Sequence, residues 1–275
     1  MTSSPPARRF DWTNLGIRAA SATVLIPAAV AAVWFGGWAL LLMVAVSTAL
    51  LAIEWGGMSA PRAPVRVAAA VMVAVLAAVF TAYYGHIKLS WLVALLGAAG
   101  AAVVAWRVAE RRADAAYGVI YIAPACIALI WLRSMPQGIS WTIMLFAVTW
   151  SADIFAFLVG SALKGPKLWP RFSPNKTWSG FFGGLAGAMV AAIVVATFST
   201  AELSWPLAAA VGLAGGIATM AGDLWESMLK RRFGVKDSGD LIPGHGGLLD
   251  RVDGLMFAAV TIAAARLVVH YGWVS

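Results

Sequence analysis

Between Asp223 and Asp253 the chain gathers six of its twelve acidic residues, Asp223, Glu226, Asp237, Asp240, Asp250 and Asp253, together with Lys230, Arg231, Arg232, Lys236, Arg251 and His245. On a helix, Glu226, Ser227 and Lys230 share one face with Asp223, and Arg231 lies at its edge. Asp250 and Asp253 repeat the same helical spacing. Paired carboxylates of this kind suit Mg²⁺, a hard cation that takes one or two of them and completes its shell with water and phosphate oxygens. A salt-bridge network with the neighbouring bases is the alternative that the same spacing allows. Between the two acidic pairs, Gly234, Gly239, Gly244, Gly246 and Gly247 surround Lys236, Asp237 and His245 in a segment too rich in glycine to stay helical. Its amides can approach a phosphate closely, and Lys236 adds a mobile positive charge. For His245 three roles stay open: a phosphate hydrogen-bond donor, a proton shuttle or a capped loop residue.

A second polar stretch, Lys164 to Gly180, holds the bases Lys164, Lys167, Arg171 and Lys176 and no acid, which makes it an anion trap. Pro166, Pro170 and Pro174 restrict its backbone, so Ser173, Asn175, Lys176 and Thr177 are displayed rather than free to wander. A basic loop that only orients the chain in a membrane is the competing reading. Asp153 falls about midway along an apolar run, where a carboxylate is costly. It reads either as a functional group or as the partner of a base from this neighbouring connection.

The elements that must position these groups are membrane spans. With 61% hydrophobic and 12% charged residues and a mean hydropathy of +0.84, the chain carries more apolar surface than a water-soluble core absorbs. A span needs roughly 20 apolar residues. Candidates lie at 16–35, 38–54, 66–84, 90–106, 116–132, 141–163, 178–199, 204–223 and 254–272. The expected fold is therefore all-α, a polytopic integral membrane protein of about nine transmembrane helices. Arg8 and Arg9 precede a polar stretch and then a span-length apolar run, so the start is expected to stay attached rather than act as a cleaved secretory signal.

Threading nine spans alternately divides the twenty bases unevenly. Lys88, Arg133 and Arg266 fall on one side and the other seventeen on the opposite side. The basic side is expected to be cytoplasmic, with the amino terminus inside, in the plasma (cell inner) membrane. The net charge of +8 then orients the chain and faces anionic lipid. A lipid bilayer is the expected partner, and nucleic acid is not. The whole chain, 1–275, reads as one membrane domain, with 1–140 mainly scaffold and 141–275 the catalytic half. Small residues recur every four positions at Gly180–Gly184, Gly183–Gly187 and Gly212–Gly216. They serve either helix packing within the chain or the seam of a homodimer. Cys126 stands alone inside a span, where packing is its expected role.

Read together, the run from Ser227 through Lys230, Gly234, Lys236, Asp237, Gly239, Pro243, Gly244, His245, Gly246, Gly247 and Asp250 to Asp253 resembles the signature of the phosphatidate cytidylyltransferase (CDP-diglyceride synthetase) family. Ser173 to Gly180 is similar to that family's second polar segment. The resemblance covers roughly residues 150–255. Phe157, Ser161, Asn175 and Ser179 depart from it, where tyrosine, a base, lysine and glutamate are usual.

What the resemblance implies is condensation of CTP with phosphatidic acid to CDP-diacylglycerol and pyrophosphate, dependent on one or two Mg²⁺ ions, with an additional monovalent cation left open. Under that reading Asp223, Asp250 and Asp253 hold metal, and Asp223, Asp250, Lys230 and Arg251 are catalytic. Ser173, Asn175, Lys176, Thr177, Ser227, Arg231, Lys236, Asp237 and His245 meet the substrates. Glu226 supports the metal-bound carboxylates. Nucleotidyl transfer to a different lipid phosphate is one alternative, and a secondary transporter using Asp153 is another.

Overall fold

Runs of Ala, Leu, Val and Gly with no charged face leave the backbone to satisfy its own hydrogen bonds, and in an apolar solvent the helix does this within one segment. The computed structural model describes residues 23, 27–107, 111–241 and 246–272. Residues 27–35 are helical (α1). There follow α2 (Gly37–Ser59), α3 (Pro64–Tyr83), α4 (Ile87–Val104), α5 (Arg112–Ser134) and α6 (Gly138–Leu163). A hairpin of β1 (Lys167–Trp169) and β2 (Ser173–Thr177) leads to α7 (Trp178–Phe198), α8 (Trp205–Arg232) and α9 (Leu249–His270). Among the described residues, eight helices are long and apolar enough to cross a membrane. Apart from Thr23 and residues 27–35, the expected first span at 16–35 lies outside the described residues.

Local signals account for the helix starts. Pro64 and Pro206 stand in the first turns of α3 and α8, where the missing N–H costs nothing. Thr177 caps α7 by accepting from Gly180 N at 3.1 Å. The exterior carries large apolar side chains, including Leu42, Leu95, Phe157, Phe182 and Phe198, as suits a lipid-facing wall. In the interior, one cluster joins α2–α5 to the carboxyl-terminal end of α8 and the amino-terminal part of α9, and a second runs through α5–α9.

Two elements reach further than hydropathy alone indicates. α8 has 28 residues, about 42 Å at 1.5 Å per residue, against an apolar layer of about 30 Å. It continues as helix through Asp223, Glu226 and Lys230 to Arg232. α9 starts at Leu249, so Asp250 and Asp253 are helical as well. The connection before α7 adds a small β component to the expected all-α fold. In the hairpin Lys167 stands opposite Thr177 and Trp169 opposite Ser173, antiparallel.

The small-residue stripes close helices of this chain on one another. A Cβ on Gly184 would lie 2.7 Å from Ala152 O of α6, and one on Gly212 would lie 2.6 Å from Ala188 O of α7. Cys126 is buried, 3.6 Å from Thr48 Oγ1. At the end of the bundle remote from the hairpin, Arg133 donates to Val33 O at 2.7 Å and Arg266 to Pro136 O at 3.1 Å. Both of these bases are tied to backbone.

Candidate active site

The carboxyl-terminal parts of α2, α6 and α8, the amino-terminal ends of α5 and α9 and the hairpin meet at one end of the bundle. The element that closes this site is Lys176. Displayed by β2, it forms an ion pair with Asp223 on α8, so the two polar stretches separated in sequence by α7 come together. Asp253, one helix away, shares the electrostatic surroundings of Asp223, Lys176 and Asp153. Asp153 is exposed rather than enclosed in α6, and Asp223 and Lys176 are its charged neighbours. α8 and α9 approach closely enough for this because residue 222 is glycine. A Cβ there would sit 2.4 Å from the carbonyl oxygen of Asp253.

A second group lies beside the first. Lys230 Nζ is 2.7 Å from Glu226 Oε2, one turn back on α8, and 2.6 Å from Asp250 Oδ1 on α9. Glu226 is buried at 1% exposure, and its Oε1 has no hydrogen-bond partner among the described residues. Asp250 Oδ2 accepts from Ser238 N at 3.1 Å, Ser238 Oγ at 2.9 Å and Gly247 N at 3.3 Å. The three expected metal carboxylates are thus distributed: Asp223 and Asp253 in the group around Lys176, Asp250 in the group around Lys230. Among the described residues, no three Asp, Glu, His or Cys side chains are arranged to hold a metal ion.

The other expected site residues fall around these two groups. Ser173 and Ser227 are half-buried, and Asn175, Arg231, Lys236, Asp237 and Arg251 are exposed. Thr177 is buried and its hydroxyl is spent on the α7 cap. Arg231 Nη1 donates to Val235 O at 3.3 Å, closing the end of α8. His245 lies outside the described residues.

Two acids of the first half also reach the site. Glu54 of α2, 3% exposed, accepts from the backbone of Leu248 and Leu249 at the start of α9, each at 2.7 Å. Asp114 of α5, 5% exposed, pairs with Arg232 at the end of α8. Each is an acid at the edge of an apolar run, which is itself a signal for such a partner.

Beside the charged groups, a groove of about 360 Å³ runs between α5, α8 and α9, lined by Tyr117, Tyr121, Trp225, Met256, Phe257 and Val260 among others. Trp225 Nε1 donates to Tyr117 OH at 2.7 Å across its mouth. Tyr121, 7% exposed, has Asp253, Glu226 and Asp223 as charged neighbours, and its hydroxyl has no partner among the described residues.

Fold and site define an integral membrane protein with a charged, oxygen-rich centre at one end of its helices and an apolar groove leading from it. The sequence model of the cytidylyltransferase family matches residues 16–269, and the chain belongs to that family. A protein of Brucella abortus biovar 1 named phosphatidate cytidylyltransferase is 47% identical over 161 residues, covering 58% of this chain and 58% of the relative. Proteins of the same name from Staphylococcus saprophyticus and Staphylococcus haemolyticus are 39% and 40% identical over 145 residues, covering 52% of this chain and 56% of each relative. The chain spans a little over half the length of these curated relatives.

Proposed function

We propose that the chain transfers the cytidylyl group of CTP to phosphatidic acid, giving CDP-diacylglycerol and pyrophosphate in phospholipid biosynthesis. The observation that carries this reading is the Lys176–Asp223 pair, which joins a basic hairpin to the acidic and basic face of α8 beside an apolar groove. A lipid phosphate and a nucleoside triphosphate both demand cations, and the lipid also demands a dry place for its chains. Membership of the cytidylyltransferase family and the names of the relatives support the same choice.

In the reaction, a phosphate oxygen of the lipid forms a bond to the α-phosphorus of CTP. The bond from that phosphorus to the oxygen bridging to the β-phosphate breaks, and pyrophosphate leaves with the electron pair. A phosphate monoester carries about −1.5 to −2 charge at pH 7, so the nucleophile needs no strong base. The barrier lies in bringing two anions together in line and stabilising the charge that leaves. Lys176 and Lys230, each held against carboxylates, are preorganised cations for this purpose. Exposed Arg231, Lys236 and Arg251 gather the triphosphate, with Asp237 orienting these bases. Ser173, Asn175 and Ser227 supply polar contacts to the headgroup or nucleotide.

The donor chemistry around Lys176 fits Mg²⁺. Three carboxylates, Asp153, Asp223 and Asp253, share the surroundings of one ammonium, leaving an excess of negative charge. Two of these acids suffice for an ion whose remaining ligands are water and phosphate. Asp223 and Asp253 would hold it, and when bound it would neutralise phosphate oxygens and draw the two substrates together. Asp250, whose two oxygens are occupied by Lys230, Ser238 and Gly247, instead sets the position of Lys230. The groove would receive acyl chain beside the reacting phosphate. The charge asymmetry of the connections supports a site on the cytoplasmic face of the plasma membrane.

The test is purified protein supplied with CTP, phosphatidic acid and Mg²⁺, followed by pyrophosphate release. Release that requires all three is expected. Preference for lysophosphatidic acid or a polyprenyl phosphate in the same assay would reassign the acceptor, and no release with any acceptor would overturn the reading.

A further inference from the structure

Glu54 lies on α2, in an otherwise uncharged helix, five residues before its end at Ser59. At 3% exposure the residue is enclosed, and its carboxylate accepts hydrogen bonds from the connection to α9 and from α9 itself. Oε1 accepts from Leu248 N at 2.7 Å and Oε2 from Leu249 N at 2.7 Å. These amides belong to the cap position and first residue of α9, and Leu248 has no side-chain oxygen with which to cap the helix. Glu54 supplies that cap from a distant helix and sets a negative charge against the positive end of α9.

The contact continues to Lys230. Ser238 Oγ is 3.2 Å from Glu54 Oε2 and 2.9 Å from Asp250 Oδ2, so its single proton serves either carboxylate. Asp250 Oδ1 in turn holds Lys230 Nζ at 2.6 Å. The packing leaves no slack: a Cβ on Gly247 would stand 3.0 Å from both Glu54 Oε2 and Asp250 Oδ2 and 1.9 Å from Ser238 Oγ.

We propose that Glu54 is a positioning residue for the transfer reaction: it fixes the first turn of α9 and, through Ser238, the orientation of Asp250 that presents Lys230 to the triphosphate. The functional half of this inference rests on the proposed cytidylyl transfer, whereas the structural half does not. Glu54→Gln keeps the side chain's size but replaces one accepting oxygen with a donor facing backbone N–H groups. In the full-length protein in lipid nanodiscs, hydrogen exchange followed by mass spectrometry should show the amides of Leu248 and Leu249 exchanging about tenfold faster or more, with the rest of the bundle unchanged. The kcat for pyrophosphate release should fall by about 10- to 100-fold, with KM for CTP moving less than about threefold, and Glu54→Asp should recover part of the loss.

Unchanged exchange at these two amides, or a loss of kcat that merely follows the fraction of folded protein, would overturn the proposal. If Glu54→Gln fails to fold, Ser238→Ala provides the test, because it cuts the link to Asp250 and leaves the α9 cap in place. A reduced kcat with unaltered exchange at Leu248 and Leu249 is then expected, and a wild-type kcat would sink the proposal. Were the wild-type protein to release no pyrophosphate, the reaction assignment would fail on its own, and the exchange data would still decide whether Glu54 holds α9.

Discussion

Lys176, at the end of a two-stranded hairpin, and Asp223, partway along α8, are joined by an ion pair although the whole of α7 separates them in sequence. Asp153 and Asp253 add negative charge to the same surroundings. Removing the ammonium therefore leaves acids facing one another and removes a cation from the proposed phosphate path. Lys176→Ala should lower turnover on the order of 10²-fold, and Asp223→Ala should abolish it at every Mg²⁺ concentration while the protein still inserts. Initial rates of pyrophosphate release measure both, and a Lys176→Ala enzyme at wild-type rate would take the hairpin out of the site.

Lys230 separates two carboxylates that are themselves poorly hydrated: the side chains of Glu226 and Asp250 are 2% and 13% exposed. Breaking a buried pair from one side leaves uncompensated charge and costs about 3–5 kcal/mol. Lys230→Met should therefore lower the thermal midpoint in detergent more than an ordinary surface change does. Adding Glu226→Gln should restore much of the stability but none of the turnover. If the double variant is no more stable than the single one, Lys230 is not the counter-ion of Glu226.

The span pattern was legible because every transmembrane helix needs an uninterrupted apolar run, and the charged clusters were legible because such side chains are out of place in that background. The continuation of α8 past its apolar run, and the start of α9 before its own, were legible from the helical spacing of the acids but not from hydropathy. Hydropathy stops at the first acid, near Gly222, whereas helical hydrogen bonding continues to Arg232, its last turns held by the Lys230 ion pairs together with the buried side chain of Leu229. The grouping of the carboxylates was illegible. Spacing puts Asp250 and Asp253 on one helical face, but their partners arrive from β2, from α8 and from the Ser238 turn, and no local pattern encodes those arrivals. Glu54 and Asp114 were available as signals, since each is an acid at the edge of an apolar run. Their targets, the start of α9 and Arg232, are contacts made only on folding.

Two glycines permit the close approaches on which this grouping depends, and they should fail differently. At Gly247 a Cβ meets the Ser238 hydroxyl first, in a turn. Gly247→Ala should displace the turn, with kcat reduced about tenfold or more and insertion retained. At Gly222 a Cβ meets backbone of α9, 2.4 Å from Asp253 O, which cannot yield by a rotamer change. Gly222→Ala should force α8 from α9 and cost about 1–3 kcal/mol of stability, seen as a lower thermal midpoint. Equal thermal midpoints for Gly222→Ala and wild type would contradict this packing.

The groove between α5, α8 and α9 gives the proposed lipid substrate a distinct handle. Val260, 38% exposed, lines it about two turns beyond Asp253 on α9. Val260→Trp should fill much of its volume and raise KM for long-chain phosphatidic acid about tenfold. One methylene in an apolar pocket is worth roughly 1–3 kcal/mol, so several displaced ones suffice. KM for CTP and the rate with a short-chain, water-dispersed phosphatidic acid should move little. A uniform loss with both lipids would assign the groove to packing instead of substrate.

Metal dependence separates the roles of the three helical acids. Asp253 lies with Asp223 in the carboxylate-rich group, and of its oxygens Oδ1 accepts from Gly254 N at 2.8 Å. Asp250 has both oxygens occupied by protein donors. Asp253→Asn keeps the shape and removes one charge from the proposed Mg²⁺ ligands. The Mg²⁺ concentration giving half-maximal rate should therefore rise about tenfold or more, with much of the loss recovered at saturating metal. Asp250→Asn should leave that midpoint nearly unmoved and lower the maximal rate instead, because it loosens Lys230. Titrating Mg²⁺ at fixed CTP and phosphatidic acid distinguishes the two. A rise of similar size in both variants would mean that Asp250 leaves its hydrogen bonds to join the metal when substrates bind, and the division of labour argued from this geometry would not hold during turnover.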